Sequence, residues 1–505
     1  MQDVAQGVTS EDAAGEDGGI EDVVIAGCGP TGMVLAAELR LAGVDPLVVE
    51  PRASNDLEGS RAGGLHARTL EVLDQRGVVD RFLAEGQTYP FAGFAMIMLD
   101  MSDLPTRHPY VLGLWQSHIE RLLAGWTDEL GVRVERDVQL VGLEAHDDLV
   151  SVQLSDGRSV RTRYLVGCDG GRSAVRRAAG IEFAGSDPTT SWMLAEVEMD
   201  VEPEMGVTRD ELGMHAIGRR EPGEPIRLVL TEAGVPGGTP TLDELRSALV
   251  GIYGTDFGLR GASFLSRFTD VSRQAVQYRS GRVLLAGDAA HVHPPQGGQG
   301  LNTGVQDAVN LGWKLGRVVR GLAPDRLLDS YHDERHPVGA RVLHNTAAQV
   351  ALGGPGERHQ ALRDTMGELL ALDEPRRHIV AMVTGLDIAY DLGGEHPLVG
   401  RRMPDVDLQL SDGSTPRVAE LLHDAAPLLL DLRGDATPPV PSGVADLTVV
   451  AATAAGPWNV PLLGEVPAPD AVLVRPDGHV AWVGSPDDAS LPDALDRWFG
   501  FRSAS

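Results

Sequence analysis

A chain of 505 residues with 42% hydrophobic content outgrows a single core, which stops expanding near roughly 250–300 residues, so more than one domain is expected. Its net charge of −30 sets the surface against phosphate backbones and anionic lipid, which excludes nucleic acid and membrane surfaces as partners and favours a small molecule. Two cysteines, Cys28 and Cys168, cannot build a disulfide framework and lack metal-ligand spacing, a usage that suits a reducing cytoplasm.

Residues 1–20 carry Asp, Glu, Gly and Ser with neither an apolar stretch nor a basic start, and read as a disordered acidic tail rather than a signal peptide. No run approaches the ~18 apolar residues of a spanning helix. Lys314 is the single lysine among many arginines.

Asp22–Ala26 reads as a buried parallel strand, followed at once by Gly27-Cys28-Gly29-Pro30-Thr31-Gly32, a GxGxxG turn. A helical pattern through Met33, Val34, Ala36, Ala37 and Leu39 runs to Gly43, and a second strand, Val44–Val49, ends in Glu50. In such a unit Gly27 permits the tight turn, Gly29 lets backbone approach a pyrophosphate, and Gly32 allows close helix packing. The helix N-terminus faces the phosphates, and Glu50 is placed for an adenosine ribose. Nicotinamide and flavin cofactors share this unit, so it does not choose between them.

Tyr164–Cys168 reads as another buried strand, ending in Asp169-Gly170-Gly171-Arg172-Ser173. Between about Pro188 and Tyr278 nucleotide motifs vanish, and stretches such as Met193–Met199 and Ile226–Leu230 suggest an antiparallel sheet. Trp192, Met214, His215 and Arg227 are its candidate pocket residues, with an apolar or structural role equally open for each. Val283–Ala286 is a third buried strand, leading into Gly287-Asp288 and on through Pro295, Gln296, Gly298, Gly300, Leu301 and Asn302. There Asp288 can hold a ribitol hydroxyl, while Pro295 and the glycines let backbone lie flat against a wide ring. The helix beginning near Asn302 can stabilise negative charge on a reduced isoalloxazine. This stretch selects flavin. His291 and His293 tempt a metal or acid/base reading, but nothing nearby in sequence completes a ligand set, so they read as satisfied loop histidines and no metal is expected. From about Arg401 a strand at Leu428–Leu432, a hairpin over Ala471–Trp482 with a Pro-Asp-Gly turn, and a helix near Pro492–Phe499 suggest a small α/β unit. It has no CxxC, which excludes thiol redox work.

GxGxxG at Gly27, DG at Asp169 and GD at Gly287, in this order and spacing, resemble the group A flavoprotein monooxygenases of the para-hydroxybenzoate hydroxylase superfamily. Ser60-Arg61-Ala62, Leu65-His66-Ala67-Arg68-Thr69, Gln116 and Ser330-Tyr331-His332-Asp333-Glu334-Arg335-His336-Pro337 narrow the likeness to actinobacterial polyketide hydroxylases and rifamycin monooxygenases. The resemblance implies an α/β fold: a Rossmann-like FAD-binding domain (21–187 and 279–398, discontinuous), an inserted antiparallel-sheet substrate domain (188–278) and a C-terminal thioredoxin-like domain (399–505). It implies that Glu50 holds the adenosine ribose, that Arg61 and Gln116 meet the pyrophosphate and ribityl region, and that Asp288 binds ribitol. Leu301 and Asn302 would offer backbone to the ring, and Arg172 would handle a transient NADPH, which needs no second GxGxxG.

The expected activity is an FAD-dependent, NADPH-consuming monooxygenation, using dioxygen, of a polycyclic aromatic polyketide-type natural product by a monomer or homodimer. No catalytic base is named. Gln296 stands where relatives carry a small residue, placed to crowd or hydrogen-bond whatever lies over the ring, although simple tolerance is the plainer reading. A flavin-retaining non-redox cyclase and a drug-inactivating or drug-sequestering flavoprotein are the alternatives.

Overall fold

The structure, a computed structural model, describes residues 19–500 apart from 58, 60, 61, 220–222, 435–443 and 445. The expected tail therefore lies outside the described residues except for Gly19 and Ile20. Runs buried on both faces suit a parallel sheet, and the first such run, Glu21–Ala26 (β1), leads through the glycine turn into Pro30–Leu41 (α1). Leu47–Glu50 (β2) lies beside it with Val48 opposite Ile25. Helices Ala67–Asp74 (α2) and Gln116–Glu129 (α3) precede Arg133–Arg136 (β3), which pairs with β2. Ser159–Gly167 (β4) flanks β1 on the other side, Tyr164 opposite Val23, and gives way to the short helix Ala174–Ala178 (α4).

The chain then leaves this sheet. Ser191–Met199 (β5), Gly206–Arg209 (β6), Met214–Gly218 (β7) and Ile226–Thr231 (β8) precede the helix Leu242–Tyr253 (α5), and Leu259–Thr269 (β9) follows it. The five strands form an antiparallel sheet ordered β6-β7-β8-β5-β9. A reciprocal Thr241–Glu244 capping box starts α5, and Gly254 in the left-handed region ends it. Leu245 and Leu249 of α5 bury against Met193, Ala195, Val197, Leu228 and Leu230. With a side-chain period of two, Trp192, Leu194 and Glu196 fall on the opposite face.

Val283–Leu285 (β10) re-enters the first sheet beside β4, completing five parallel strands in the order β10-β4-β1-β2-β3. Gln299–Val319 (α6) and Asp329–Leu352 (α7) follow. Helix α6 lies unusually close to α1. A Cβ added at Gly304 would fall 2.3 Å from Thr31 Oγ1, one at Gly312 2.4 Å from Glu38 Cβ, and one at Gly316 2.5 Å from Ala42 Cβ.

The C-terminal unit comprises Leu408–Leu410 (β11), Leu428–Asp431 (β12), Thr448–Ala454 (β13), Ala471–Val474 (β14), Val480–Gly484 (β15) and Leu491–Phe499 (α8). Its sheet runs β11-β13-β12-β14-β15, with β12 and β13 parallel and the other pairs antiparallel. Buried polar groups anchor it to the rest of the chain. Arg76 forms a two-pronged ion pair with Glu38 of α1 and donates to Leu422 O and Pro476 O. Arg475, between β14 and β15, pairs with Glu334 of α7 and with Asp477, while Lys314 Nζ of α6 lies 3.0 Å from Glu334. Burial pulls the Lys314 ammonium down to about 8 against the attraction of Glu334. No helix among the described residues is long and apolar enough to cross a membrane.

Gly312→Ala is expected to lower stability by about 1–3 kcal/mol, the usual cost of overpacking a filled contact. The measurement is the urea midpoint at unchanged slope; a midpoint equal to that of the parent protein would contradict the close α1–α6 crossing.

Candidate functional site

The glycine turn after β1 is shaped by its neighbours. Gly27 has φ +101° and leaves no room for a side chain, since a Cβ would lie 2.4 Å from Cys168 O at the end of β4. Gly32 packs equally tightly, its notional Cβ 2.0 Å from Gly27 O. Gly29 differs, because nothing lies within 4 Å of a Cβ there, and Pro30 begins α1 with no side-chain cap. Uncapped N–H groups beside open space make a seat for an anion. Thr31 packs against the third motif, its Oγ1 2.6 Å from a Cβ placed on Gly287. The three motif turns therefore converge at the C-terminal ends of β1, β4 and β10.

Around this centre Glu50 is the first link of a polar chain. Its Oε2 accepts from Cys28 N at 2.6 Å, and its Oε1 accepts from Arg52 Nε at 2.8 Å. Arg52 continues to Glu120 Oε2 at 2.9 Å and to Cys28 O at 3.1 Å. Glu120 Oε1 receives Gln116 Nε2 at 2.9 Å, and Gln116 Oε1 accepts from Ala62 N at 3.2 Å. Glu50 and Gln116 thus share one network, whose linking members Arg52 and Glu120 the sequence reading did not single out. Gln116 and Glu120 stand four apart on α3, the spacing that puts two side chains on one face. Arg61, expected beside them, lies outside the described residues. Both cysteine thiols are held protonated by burial, Cys28 near 11 and Cys168 well above its usual range.

In the DG turn, Asp169 Oδ2 caps α4 by accepting from Ala174 N and Val175 N, while Oδ1 is buried without a partner. Arg172 is exposed. The arginine that joins this turn to the next is Arg176, which donates to Gly171 O and Ala289 O at 2.8 Å each and lies 3.7 Å over the Phe183 ring. Asp288 is exposed, and Gly298, with φ +64°, starts α6 without a side-chain cap. Asn302 ties this helix start to the segment before α2, its Oδ1 accepting from His66 N at 2.8 Å and its Nδ2 donating to Gly298 O at 2.8 Å. Pro295 is exposed, Leu301 half-buried, and Gly300 lies near His293, whose Nε2 would be 3.7 Å from an added Cβ. Gln296 Oε1 is buried and unpartnered. His291 is held by Asp307 rather than by its own loop, at 2.7 Å, and among the described residues no three His, Cys, Asp or Glu side chains gather as metal ligands.

The candidate pocket residues divide between two faces of the antiparallel sheet. Trp192 stacks on Phe268 with centroids 5.2 Å apart, and Arg227 lies 4.5 Å over Trp115, next to Gln116. Phe264, opposite Glu196 on that same face, presses on Gly59 of the first domain. Met214 is half-buried and, by register, shares this face. His215 does not. One residue further along β7, it is fully buried toward α5, Nδ1 accepting from Thr231 N and Nε2 2.9 Å from Asp210, so it is a correction to the expected pocket. A crevice of about 250 Å³ opens elsewhere, between α2 and the C-terminal unit. Its charges pair with one another, Glu71 with Arg402, Asp74 with His108 and Arg107 with Asp405, which marks a seam with the C-terminal unit rather than the nucleotide site.

An open anion seat at Gly29, two uncapped helix starts and an exposed acid at Asp288 fit the pyrophosphate and ribityl groups of a flavin dinucleotide. Fold and cradle together define a nucleotide-binding α/β enzyme with an attached antiparallel sheet. Residues 21–346 match the FAD binding domain family, and residues 396–501 match the aromatic-ring hydroxylase C-terminal family. The rifampicin monooxygenase of Streptomyces venezuelae is 43% identical over 496 residues, covering 96% of this chain and 99% of that protein. The dialkyldecalin synthase of Streptomyces rugosporus is 39% identical over 489 residues, covering 95% and 99% respectively. The solved anhydrotetracycline hydroxylase of Streptomyces rimosus superposes with a TM-score of 0.89 at 42% identity, covering 95% of this chain and 99% of that one. The chain belongs to the FAD-dependent aromatic-ring hydroxylases and is an FAD-dependent aromatic monooxygenase.

Burial lowers both His66 and His293 from 6.5 to about 4, so both are neutral near pH 7. Between those values the unfolded chain binds more protons than the folded one, so the stability they contribute is complete above pH 6.5 and is lost as pH falls toward 4. The unfolding temperature is expected to drop across that window, less steeply in His66→Gln; an identical slope in the variant overturns the assignment. Asp288→Ala is expected to weaken FAD binding by roughly tenfold or more, the scale of a lost hydrogen bond to a charged group. Fluorescence titration of the apoprotein checks it, and unchanged affinity removes Asp288 from the site.

Proposed function

We propose that this protein is an NADPH-consuming monooxygenase acting on a polycyclic aromatic polyketide-type natural product. The convergence of the three motif turns carries the reading, and the rifampicin monooxygenase and the anhydrotetracycline hydroxylase, at 42–43% identity, support the substrate class. We divide the chain at 21–187 with 279–398, 188–278 and 399–505. The first is read as a Rossmann-like FAD-binding domain, the second as the substrate domain, and the third as thioredoxin-like on the strength of its strand order. Bound FAD supplies the transfer of electrons from NADPH to dioxygen on which hydroxylation rests.

The chain's own residues bind, orient and exclude water. Glu50, whose Oε1 accepts from Arg52, takes the adenosine ribose, and the N–H groups of Gly29 and Thr31 take the pyrophosphate. Asp288 takes ribitol hydroxyls, Arg61 and Gln116 bound the middle of the cofactor, and the backbone at Pro295, Gly298, Gly300, Leu301 and Asn302 lies along the ring. Arg172, exposed beside the DG turn, is suited to a nicotinamide dinucleotide that binds and leaves. The stacked Trp192–Phe268 pair and Met214 form an apolar wall against water, and Arg227 offers a positive charge to a phenolate.

One observation favours a second reading. The dialkyldecalin synthase shares 39% identity over nearly the whole chain, and unpartnered Gln296 Oε1 is a polar group available to a non-redox cyclisation beside a flavin that serves as a wall. NADPH consumption by the purified holoprotein, followed with a panel of tetracyclic, angucyclic and ansamycin phenols, separates the two. Faster consumption with product heavier by one oxygen atom is expected; turnover without NADPH or added oxygen would establish the cyclase instead.

A further inference from the structure

Asp307, His291 and Arg335 have no role in the binding contacts above, yet all three are fully buried. Asp307 lies in the third turn of α6. Its Oδ2 accepts from Gly287 N at 3.1 Å and from His291 Nε2 at 2.7 Å, and its Oδ1 accepts from Arg335 Nε at 2.7 Å. Arg335 is fixed in turn by Thr303 O at 3.2 Å and by Tyr390 Oη at 3.1 Å. Against the cost of burial, Arg335 and His291 hold Asp307 below the ordinary carboxylate range, so it remains an anion.

Stability alone does not explain this arrangement. A buried ion pair is often no more stabilising than apolar residues of the same volume, because both charges must be stripped of water. What apolar residues cannot do is accept the Gly287 amide. That residue is left-handed at φ +61°, wedged against Thr31, and followed directly by exposed Asp288. A strong, immobile acceptor at its N–H sets the direction in which the next residue leaves the turn.

We propose that Asp307 is a positioning residue for flavin binding: braced by Arg335 and His291, it fixes the Gly287 amide and so the turn that presents Asp288. The proposal rests on the reading of Gly287–Asp288 as part of the FAD site. It makes sense of the sequence segment around Arg335, whose task is to hold an acceptor in α6 rather than to touch cofactor.

Asp307→Ala alone strands the Arg335 charge in the core and is expected to unfold the protein, so the test uses two full-length double variants that bury no lone charge. Asp307→Ala with Arg335→Met removes the acceptor; Asp307→Asn with Arg335→Met keeps an amide oxygen for Gly287 N. FAD dissociation constants are measured on apoprotein by flavin fluorescence, beside unfolding temperatures of the same preparations. The alanine pair is expected to bind FAD at least about tenfold more weakly than the parent, and the asparagine pair to recover to within about threefold. Equal constants for the two pairs, or constants that merely follow the unfolding temperatures, overturn the proposal. Failure of the parent apoprotein to bind FAD would instead bring down the site reading beneath it.

Discussion

The separation between α1 and α6 governs this molecule. At Gly304, Gly312 and Gly316 the helices meet so closely that Thr31, Glu38 and Ala42 occupy the positions of side chains α6 does without. The upper end of that contact joins the first and third motif turns, because Thr31 touches both Gly287 and Gly304. From there, constraint spreads outward through hydrogen bonds. Asn302 brings the segment at His66 onto the start of α6, Asp307 takes the Gly287 amide, and Arg176 draws the DG turn to Ala289. The first two depend on α6 being at its observed depth.

Much of this was legible in the sequence wherever cause and effect lie close together along the chain. The β1–α1–β2 unit announced itself because a buried strand, a glycine turn and a helix follow one another directly, and Glu50 closes the pattern. The antiparallel sheet and the C-terminal hairpin were readable from alternation and from the Pro-Asp-Gly turn. Partners supplied from far away were not readable. Arg52 meets Glu120 across 68 residues and Arg176 meets Ala289 across 113, and neither distance leaves a local trace. His291 read as a histidine satisfied within its loop because Asp307 reaches it only once α6 has folded back. His215 failed as a pocket residue for a simpler reason: strand neighbours face opposite ways, and the sequence did not say which parity faced α5.

The C-terminal unit is attached by charge as much as by apolar packing. Arg76 spans Glu38 and two carbonyls of that unit, while Arg475 and Asp477 enter a cluster with Glu334, Asn310 and Lys314. Such groups specify how the two surfaces meet more than they strengthen the contact, since water entering an opened seam would solvate the parted ions. Trp498 and Phe499 of α8 share the core with Trp313 of α6, so the helix that carries part of the candidate flavin site is also the floor on which the last domain rests.

Lys314 has a consequence of its own. It is the chain's single lysine, and none of its surface is exposed. Acylating reagents aimed at side-chain amines therefore find no target on the folded molecule, and the rate at which they modify Lys314 becomes a clock for the parting of α6 from the Arg475 hairpin. Evolution has left the protein with an internal chemical tell-tale that needs no engineered label.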